Sequence, residues 1–122
     1  MIKGIGIDLC EIERIRKMLE RGSFAKRVFS DEEIEYAGEG VHAAEHFAAS
    51  FAAREALAKA VGCGLASAGL DACIVRRTET GPVFVFSEDF RRRLEDRGVK
   101  NVFLSITHDA GVAAAVVVLE GD

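Results

Sequence analysis

Three charged side chains, Arg54, Glu55 and Lys59, stand in the middle of the stretch Phe47-Ala-Ala-Ser-Phe-Ala-Ala-Arg-Glu-Ala-Leu-Ala-Lys-Ala-Val-Gly62. Seven of its residues are alanine and none is proline, which predicts a helix. On that helix Phe47, Phe51, Leu57 and Val61 occupy one broad side, and Ala52, Ala53, Ala56 and Ala60 fill much of the other. A helix apolar nearly all round is a buried one. Glu55 and Lys59 share a face one turn apart. Charge on a buried helix is costly unless it is paired or bound to something. Two readings follow: an i,i+4 Glu–Lys pair at a partly exposed edge, or a charged site for a ligand.

A second carboxylate is placed by a strand. Ile2 to Asp8 alternates, with Ile5 and Ile7 pointing one way and Gly4, Gly6 and Asp8 the other. Two glycines on one strand face let another backbone approach closely. The long helix is the natural partner, and that packing would carry Asp8 toward Glu55. Asp8 with Glu11 three residues later also reads as a capping box for a helix from about Leu9 to Arg21, with Leu9, Ile12, Ile15 and Leu19 on its inner side. The two roles are compatible, because a carboxylate has two oxygens.

Two further groups have the spacing for chemistry. His42 and His46 lie at i,i+4 before the long helix, a pair that can bind metal, but no third ligand pattern accompanies them. Arg14, Arg16, Lys17, Arg21, Lys26 and Arg27 form a basic run in an acidic chain. It reads either as a solvated helix face or as a docking surface for an acidic partner.

The remaining elements frame these groups. Phe24 to Phe29 reads as a helical turn, and Ser30-Asp-Glu-Glu33 as a capping box that opens a short helix ended by Gly38 to Gly40. Gly62 and Gly64 close the long helix. Asp71 to Thr78 and Val83 to Phe86 form a hairpin around Glu79-Thr-Gly-Pro82. Ser87 caps a helix through Arg97, with Gly98 after its end. Val102, Leu104 and Ile106 alternate with Phe103, Ser105 and Thr107, and His108-Asp-Ala-Gly111 turns the chain. Val112 to Leu119 is small and apolar throughout, so it is expected to be buried on both faces. The fold class is α+β: a mainly antiparallel sheet packed on one long buried helix.

Composition narrows the function. The chain has 122 residues, enough for one domain with one core, and is 49% hydrophobic. Its net charge of −4 gives no general attraction to nucleic acid. Cys10, Cys63 and Cys73 have no CxxC spacing and fit a reducing cytosol better than a disulfide framework or a zinc site. No leader pattern precedes the first strand, and the longest apolar run, Ala110 to Leu119, is too short to span a bilayer. The expectation is a cytoplasmic protein with neither nucleic acid nor membrane as partner.

Three separated pieces together resemble the holo-(acyl-carrier-protein) synthases, the small phosphopantetheinyl transferases of bacterial fatty-acid synthesis. They are Gly4-Ile-Gly-Ile-Asp8 running on to Glu13-Arg14-Ile15, the helix from Phe51 to Gly62, and Leu104-Ser-Ile-Thr-His-Asp109 followed by Ala113-Ala-Ala-Val. The resemblance covers nearly the whole chain and implies a single phosphopantetheinyl transferase domain over 1–122. It implies transfer of 4′-phosphopantetheine from coenzyme A to a serine of apo acyl carrier protein, releasing adenosine 3′,5′-bisphosphate. By the same resemblance Asp8 and Glu55 are ligands of a magnesium ion and Lys59 lies near the pyrophosphate. Glu55 is then the group that helps deprotonate the serine. Lys59, Gly62, Gly81, Pro82, Ile106, Thr107 and His108 line the coenzyme A site. Arg14, Met18 and Arg21 lie on the helix that docks the carrier. The resemblance also implies a homotrimer with active sites between subunits.

The chain departs from that family's pattern in places. Ser50 stands where relatives commonly place an arginine, Arg54 replaces a more usual lysine, and no lysine separates Gly81 from Pro82. Each is read as a lost phosphate contact, with His46, one turn before Ser50, as a partial substitute. The competing classes of function are a non-catalytic module that binds coenzyme A or a carrier, and a structural oligomer whose charged helix forms internal salt bridges.

Overall fold

The computed structural model describes residues 1–62 and 72–122. Gly64, Asp71 and Cys63, which entered the reading of the helix end, the next strand and the cysteines, lie outside the described residues. The order of elements is β1 (Ile2–Glu11), α1 (Ile12–Leu19), α2 (Phe24–Val28), α3 (Asp31–Ala37), α4 (Ala43–Val61), β2 (Cys73–Thr78), β3 (Gly81–Phe86), α5 (Glu88–Asp96), β4 (Val99–Asp109) and β5 (Val112–Gly121).

Strands β1, β5 and β4 form an antiparallel sheet in that spatial order, and β2 and β3 form a separate hairpin. Helix α4 lies across the sheet. It is buried nearly all round, with Ala48, Ala52, Ala53 and Ala56 fully enclosed. The expected approach of strand to helix is real. A Cβ on Gly4 would lie 2.2 Å from the Ala60 carbonyl oxygen, and one on Gly6 would lie 1.9 Å from that of Ala56. Only glycine permits that separation, and it sets Asp8 beside the helix.

The expected helix from Leu9 is corrected. Strand β1 continues to Glu11, because Leu9, Cys10 and Glu11 pair with Ala114, Ala113 and Val112 of β5. Helix α1 begins only at Ile12, whose N–H donates to the Gly111 carbonyl at 2.9 Å. Glu11 is its N-cap residue and provides no side-chain cap, so the Asp8–Glu11 capping box does not exist. A sheet ladder made with a distant strand overrides a local capping signal here. Leu9, expected on the inner side of a helix, lies exposed on the outer face of the sheet. Arg21 lies beyond the end of α1 at Leu19, in a turn closed by its N–H to the Met18 carbonyl at 3.1 Å.

Other local signals hold. Ser30 and Glu33 form a complete capping box on α3, and Gly38 ends that helix. The Ser87 hydroxyl accepts from the Phe90 N–H at 3.2 Å to cap α5. The hairpin forms as expected, except that β3 begins at Gly81.

Strand β5 buries one face completely, with Ala113, Ala115, Val117 and Leu119 against α4. Its other face is only half-buried in the single chain, which corrects the expectation of two buried faces. That outer face carries Ile5, Ile7, Leu9 and Phe103, which are 59%, 61%, 68% and 56% exposed. No helix among the described residues is long and apolar enough to cross a membrane.

Candidate active site

Asp8 and Lys59 meet where β1 crosses α4. The Lys59 Nζ donates to Asp8 Oδ1 and to the Ile7 carbonyl, each at 3.1 Å. Lys59 is therefore not the ion-pair partner of Glu55, and the i,i+4 pairing read from the helix is corrected: the lysine reaches to the strand that the glycines bring near.

Glu55 stands half-buried in the same neighbourhood. Burial, and then the negative charge of Asp8, push its carboxyl above the ordinary glutamate value, while Lys59 and Arg14 pull the other way. Two carboxylates that repel each other at a half-buried position suit a hard cation. Gly62 ends α4 one turn beyond Lys59 in the left-handed conformation, φ 88°.

The other expected site residues form a second group. Gly81 and Pro82 open β3, where Pro82 pairs with Arg77 and Gly81 with Thr78. Ile106 shares a sheet row with Asp8 through Ala115 and packs toward α4. Thr107 alternates to the opposite, outer face, where it is exposed. His108 lies in a shallow cavity near Arg16 and Glu45, and its charge is felt by His46. One chain thus brings Asp8, Glu55 and Lys59 together but turns Thr107 away from them.

Arg14 and Met18 stand one turn apart on α1, Arg14 exposed and Met18 half-buried, with Arg21 exposed just beyond. Lys17, Lys26 and Arg27 are also exposed, and Arg16 pairs with Glu13. Arg14 is close enough to Glu55 to influence its carboxyl.

Arg54 does not face a ligand. It and Glu33 are both 2% exposed, and the guanidinium grips the carboxylate through Nη1 and Nη2 at 2.5 Å each. Nη2 also donates to the Cys73 carbonyl at 3.0 Å. Arg54 is a core brace between α3, α4 and β2, which corrects its reading as an altered phosphate contact. His42 pairs with Glu45 at 3.0 Å, and among the described residues no group of three metal-ligating side chains converges. Cys10 and Cys73 are free and buried, their thiols pushed up to about 11 by burial, so they are unreactive at neutral pH.

One residue escaped the sequence reading. Arg77 Nη2 lies 3.4 Å from Ser50 Oγ and 3.5 Å from the His46 carbonyl, so a second cation besides His46 stands at the position of the missing arginine. The only signal was the Arg76–Arg77 dipeptide on a strand, whose side chains must point opposite ways. Arg76 pairs outward with Glu32 at 2.8 Å, and Arg77 turns in.

Residues 4–117 match the model of the 4′-phosphopantetheinyl transferase superfamily. A holo-[acyl-carrier-protein] synthase of Syntrophus aciditrophicus is 41% identical, with 99% of this chain and 98% of that protein covered. One from Treponema denticola is 39% identical over 99% of this chain and 100% of its own length. The crystal structure of the Neisseria meningitidis synthase superposes with a TM-score of 0.88 at 31% identity, covering 98% of this chain and 99% of that one. The Bacillus anthracis synthase, solved in complex with CoA (3′,5′-ADP), gives 0.82 at 36% identity, covering 100% and 99%. The glycine-gated contact of β1 with α4, the charged trio it assembles and these likenesses have one conclusion: the chain belongs to the 4′-phosphopantetheinyl transferase superfamily, among its holo-[acyl-carrier-protein] synthases.

Proposed function

We propose that this chain, acting as one domain over residues 1–122, transfers 4′-phosphopantetheine from coenzyme A to a serine hydroxyl of apo acyl carrier protein. The observation that carries the reading is the convergence of Asp8, Glu55 and Lys59 at the β1–α4 crossing. A module that only bound coenzyme A or a carrier would not need two mutually repelling carboxylates beside a lysine.

The donor set fits magnesium. Asp8 and Glu55 would hold it, since this ion takes one or two carboxylates and completes its shell with phosphate oxygens and water. When bound, it would neutralise the pyrophosphate as the P–O bond breaks. Lys59 adds a positive charge at the same place, where negative charge builds up in the transition state. Glu55 helps take the serine proton, directly or through a water. The serine oxygen attacks the phosphorus that bears the pantetheine, and adenosine 3′,5′-bisphosphate leaves. Lys59, Gly62, Gly81, Pro82, Ile106, Thr107 and His108 line the coenzyme site, and Arg14, Met18 and Arg21 receive the acidic carrier.

The active assembly in this proposal is a homotrimer in the cytoplasm. The apolar outer face of the sheet supports association, since Ile5, Ile7, Leu9 and Phe103 are uncovered in the single chain. The opposite aims of Asp8 and Thr107 support a site that two subunits share. Cys10 and Cys73, both free and buried among the described residues, support a reducing compartment.

The test is incubation with coenzyme A, magnesium and an apo carrier, followed by mass spectrometry of the carrier. The expected result is a carrier heavier by one phosphopantetheine. No adduct on any of several bacterial carriers would refute the reading.

A further inference from the structure

Arg77 is a cation without a counter-ion. Its hydrogen-bond and ring partners are neutral: the Ser50 hydroxyl, the His46 carbonyl and the ring of Tyr36, whose centroid lies 5.1 Å from the guanidinium carbon. Among the described residues no carboxylate lies within ion-pair distance of it; Glu33 acts on it only from farther away and is itself gripped by Arg54. Both hydrogen bonds leave from Nη2 and are long, so Nη1 and Nε remain for a ligand. The group is half-buried, and burial lowers its pKa from the ordinary arginine value. Arginine nevertheless stays protonated in proteins. A partly desolvated charge with no partner is a costly state that a bound anion relieves. The planar fork of a guanidinium matches phosphate in particular.

The surroundings narrow which phosphate. Arg77 stands opposite Pro82 in the hairpin, and the charges of Arg77 and His108 both act on His46. Pro82 and His108 are two residues of the proposed nucleotide wall. Within one chain helix α4 separates this place from the charged trio, so Arg77 can serve the same coenzyme only together with the trio of a neighbouring subunit, as in the shared site proposed above. Ser50 precedes Lys59 by two and a half turns, which puts the two about 180° apart around the helix. The other cations of α4 are committed, Arg54 to Glu33 and Lys59 to Asp8. Coenzyme A carries two separate anionic groups at its nucleotide end, the pyrophosphate and the phosphomonoester on the ribose 3′ oxygen. With the pyrophosphate assigned to Asp8, Glu55 and Lys59, the monoester has no cation among them.

We propose that Arg77 binds the 3′-phosphate of coenzyme A and makes the enzyme discriminate against 3′-dephospho-coenzyme A. The inference rests on the transferase reading above and names a specificity-determining residue within it. The hairpin, rather than α4, supplies the cation.

Two measurements test it. The first is kcat/KM for transfer from coenzyme A and from 3′-dephospho-coenzyme A, in the wild type, Arg77→Gln and Arg77→Lys. The wild type should prefer the phosphorylated donor. Arg77→Gln should reduce kcat/KM with coenzyme A by about 10- to 100-fold, the scale of a lost hydrogen bond to a charged group, and so close the gap between donors. Arg77→Lys should restore part of it. An equal loss with both donors, or no loss with coenzyme A, overturns the proposal.

The second measurement is calorimetric binding of adenosine 3′,5′-bisphosphate and of 5′-AMP, which needs no transfer. The wild type should bind the bisphosphate more tightly, and Arg77→Gln should bind the two alike. If Arg77→Gln does not fold, the Arg77→Lys protein decides the matter by losing part of the preference or none. Bisphosphate bound no better than AMP by the wild type overturns the role of Arg77 and leaves the transferase reading standing. Absence of transfer from either donor removes the transferase reading, while the binding comparison still decides whether Arg77 reads the 3′-phosphate.

Discussion

Lys59 Nζ and Asp8 Oδ1 lie 3.1 Å apart although 51 residues separate them in the chain. The contact exists because Gly4 and Gly6 let β1 approach the backbone of α4 at Ala60 and Ala56. The same approach brings Asp8 within electrostatic reach of Glu55. The site is thus built by a strand and a helix, both rigid elements, rather than by loops.

Asp8→Ala and Glu55→Gln should each abolish transfer and leave the fold intact. Each removes a hard oxygen donor, or its charge, from a centre with few protein ligands. The loss of such electrostatic stabilisation is about 10²- to 10³-fold in rate, or more. Asp8 caps no helix, so Asp8→Ala should melt cooperatively near the wild-type temperature. Steady-state transfer and thermal melting check both points. A near wild-type rate in magnesium for either variant would remove that residue from the centre.

Charge reversal on the basic face should weaken carrier binding. Arg21→Glu is the cleaner variant, because Arg14 also influences the Glu55 carboxyl and Arg14→Glu would disturb chemistry as well as docking. For Arg21→Glu the KM for carrier should rise at unchanged KM for coenzyme A. Wild-type transfer at limiting carrier should fall as salt rises, since exposed charge pairs are screened. An unaltered KM for carrier would reduce the basic run to a solvated face.

Mixed oligomers test the shared site. Glu55→Gln spoils the proposed metal centre, and Thr107→Trp adds bulk on the outer face of the sheet, away from Asp8 of the same chain. Each variant alone should be inactive. After subunit exchange, shown by gel filtration, some interfaces would pair an intact centre with an intact wall. Activity should return to a fraction of wild type. Exchanged assemblies that stay inactive would place the whole site within one chain.

The buried Arg54–Glu33 pair should govern acid stability. Burial by itself pushes the Glu33 carboxyl up, but the Arg54 guanidinium and the Ser30 N–H and hydroxyl more than offset it and hold the carboxyl below the ordinary value of 4.5. A depressed carboxyl stabilises the fold above its unfolded pKa, and that contribution is lost as pH falls through the folded pKa. Glu33→Gln leaves Arg54 buried without its counter-ion and should cost about 3–5 kcal/mol at neutral pH. The difference from wild type should shrink on acidification below 4.5. Denaturant melts at neutral pH and at pH about 3, below the ordinary carboxylate range, measure it. A difference independent of pH would show that the pair is not the acid-sensitive element.

The sequence by itself determined the parts whose causes are local. Alanine content and apolar coverage made α4 a buried helix, the Ser30–Glu33 and Ser87 signals opened α3 and α5, and the Gly4–Gly6 spacing marked where β1 meets α4. Period alone also placed Asp8 on the face turned toward Glu55. What tertiary structure decided was the choice between competing partners. Leu9 to Glu11 had a helix signal and became strand because β5 supplied a ladder. Lys59 had Glu55 one turn away and bonded to Asp8, because the closely docked strand brought an uncapped carboxylate within reach. Arg54 and Arg77 look alike in sequence, yet one is neutralised by Glu33 from α3 and the other is held by Ser50 and Tyr36 without a carboxylate. Charges act through space over a few ångströms, and which charges come that close is set by the packing of elements far apart in the chain.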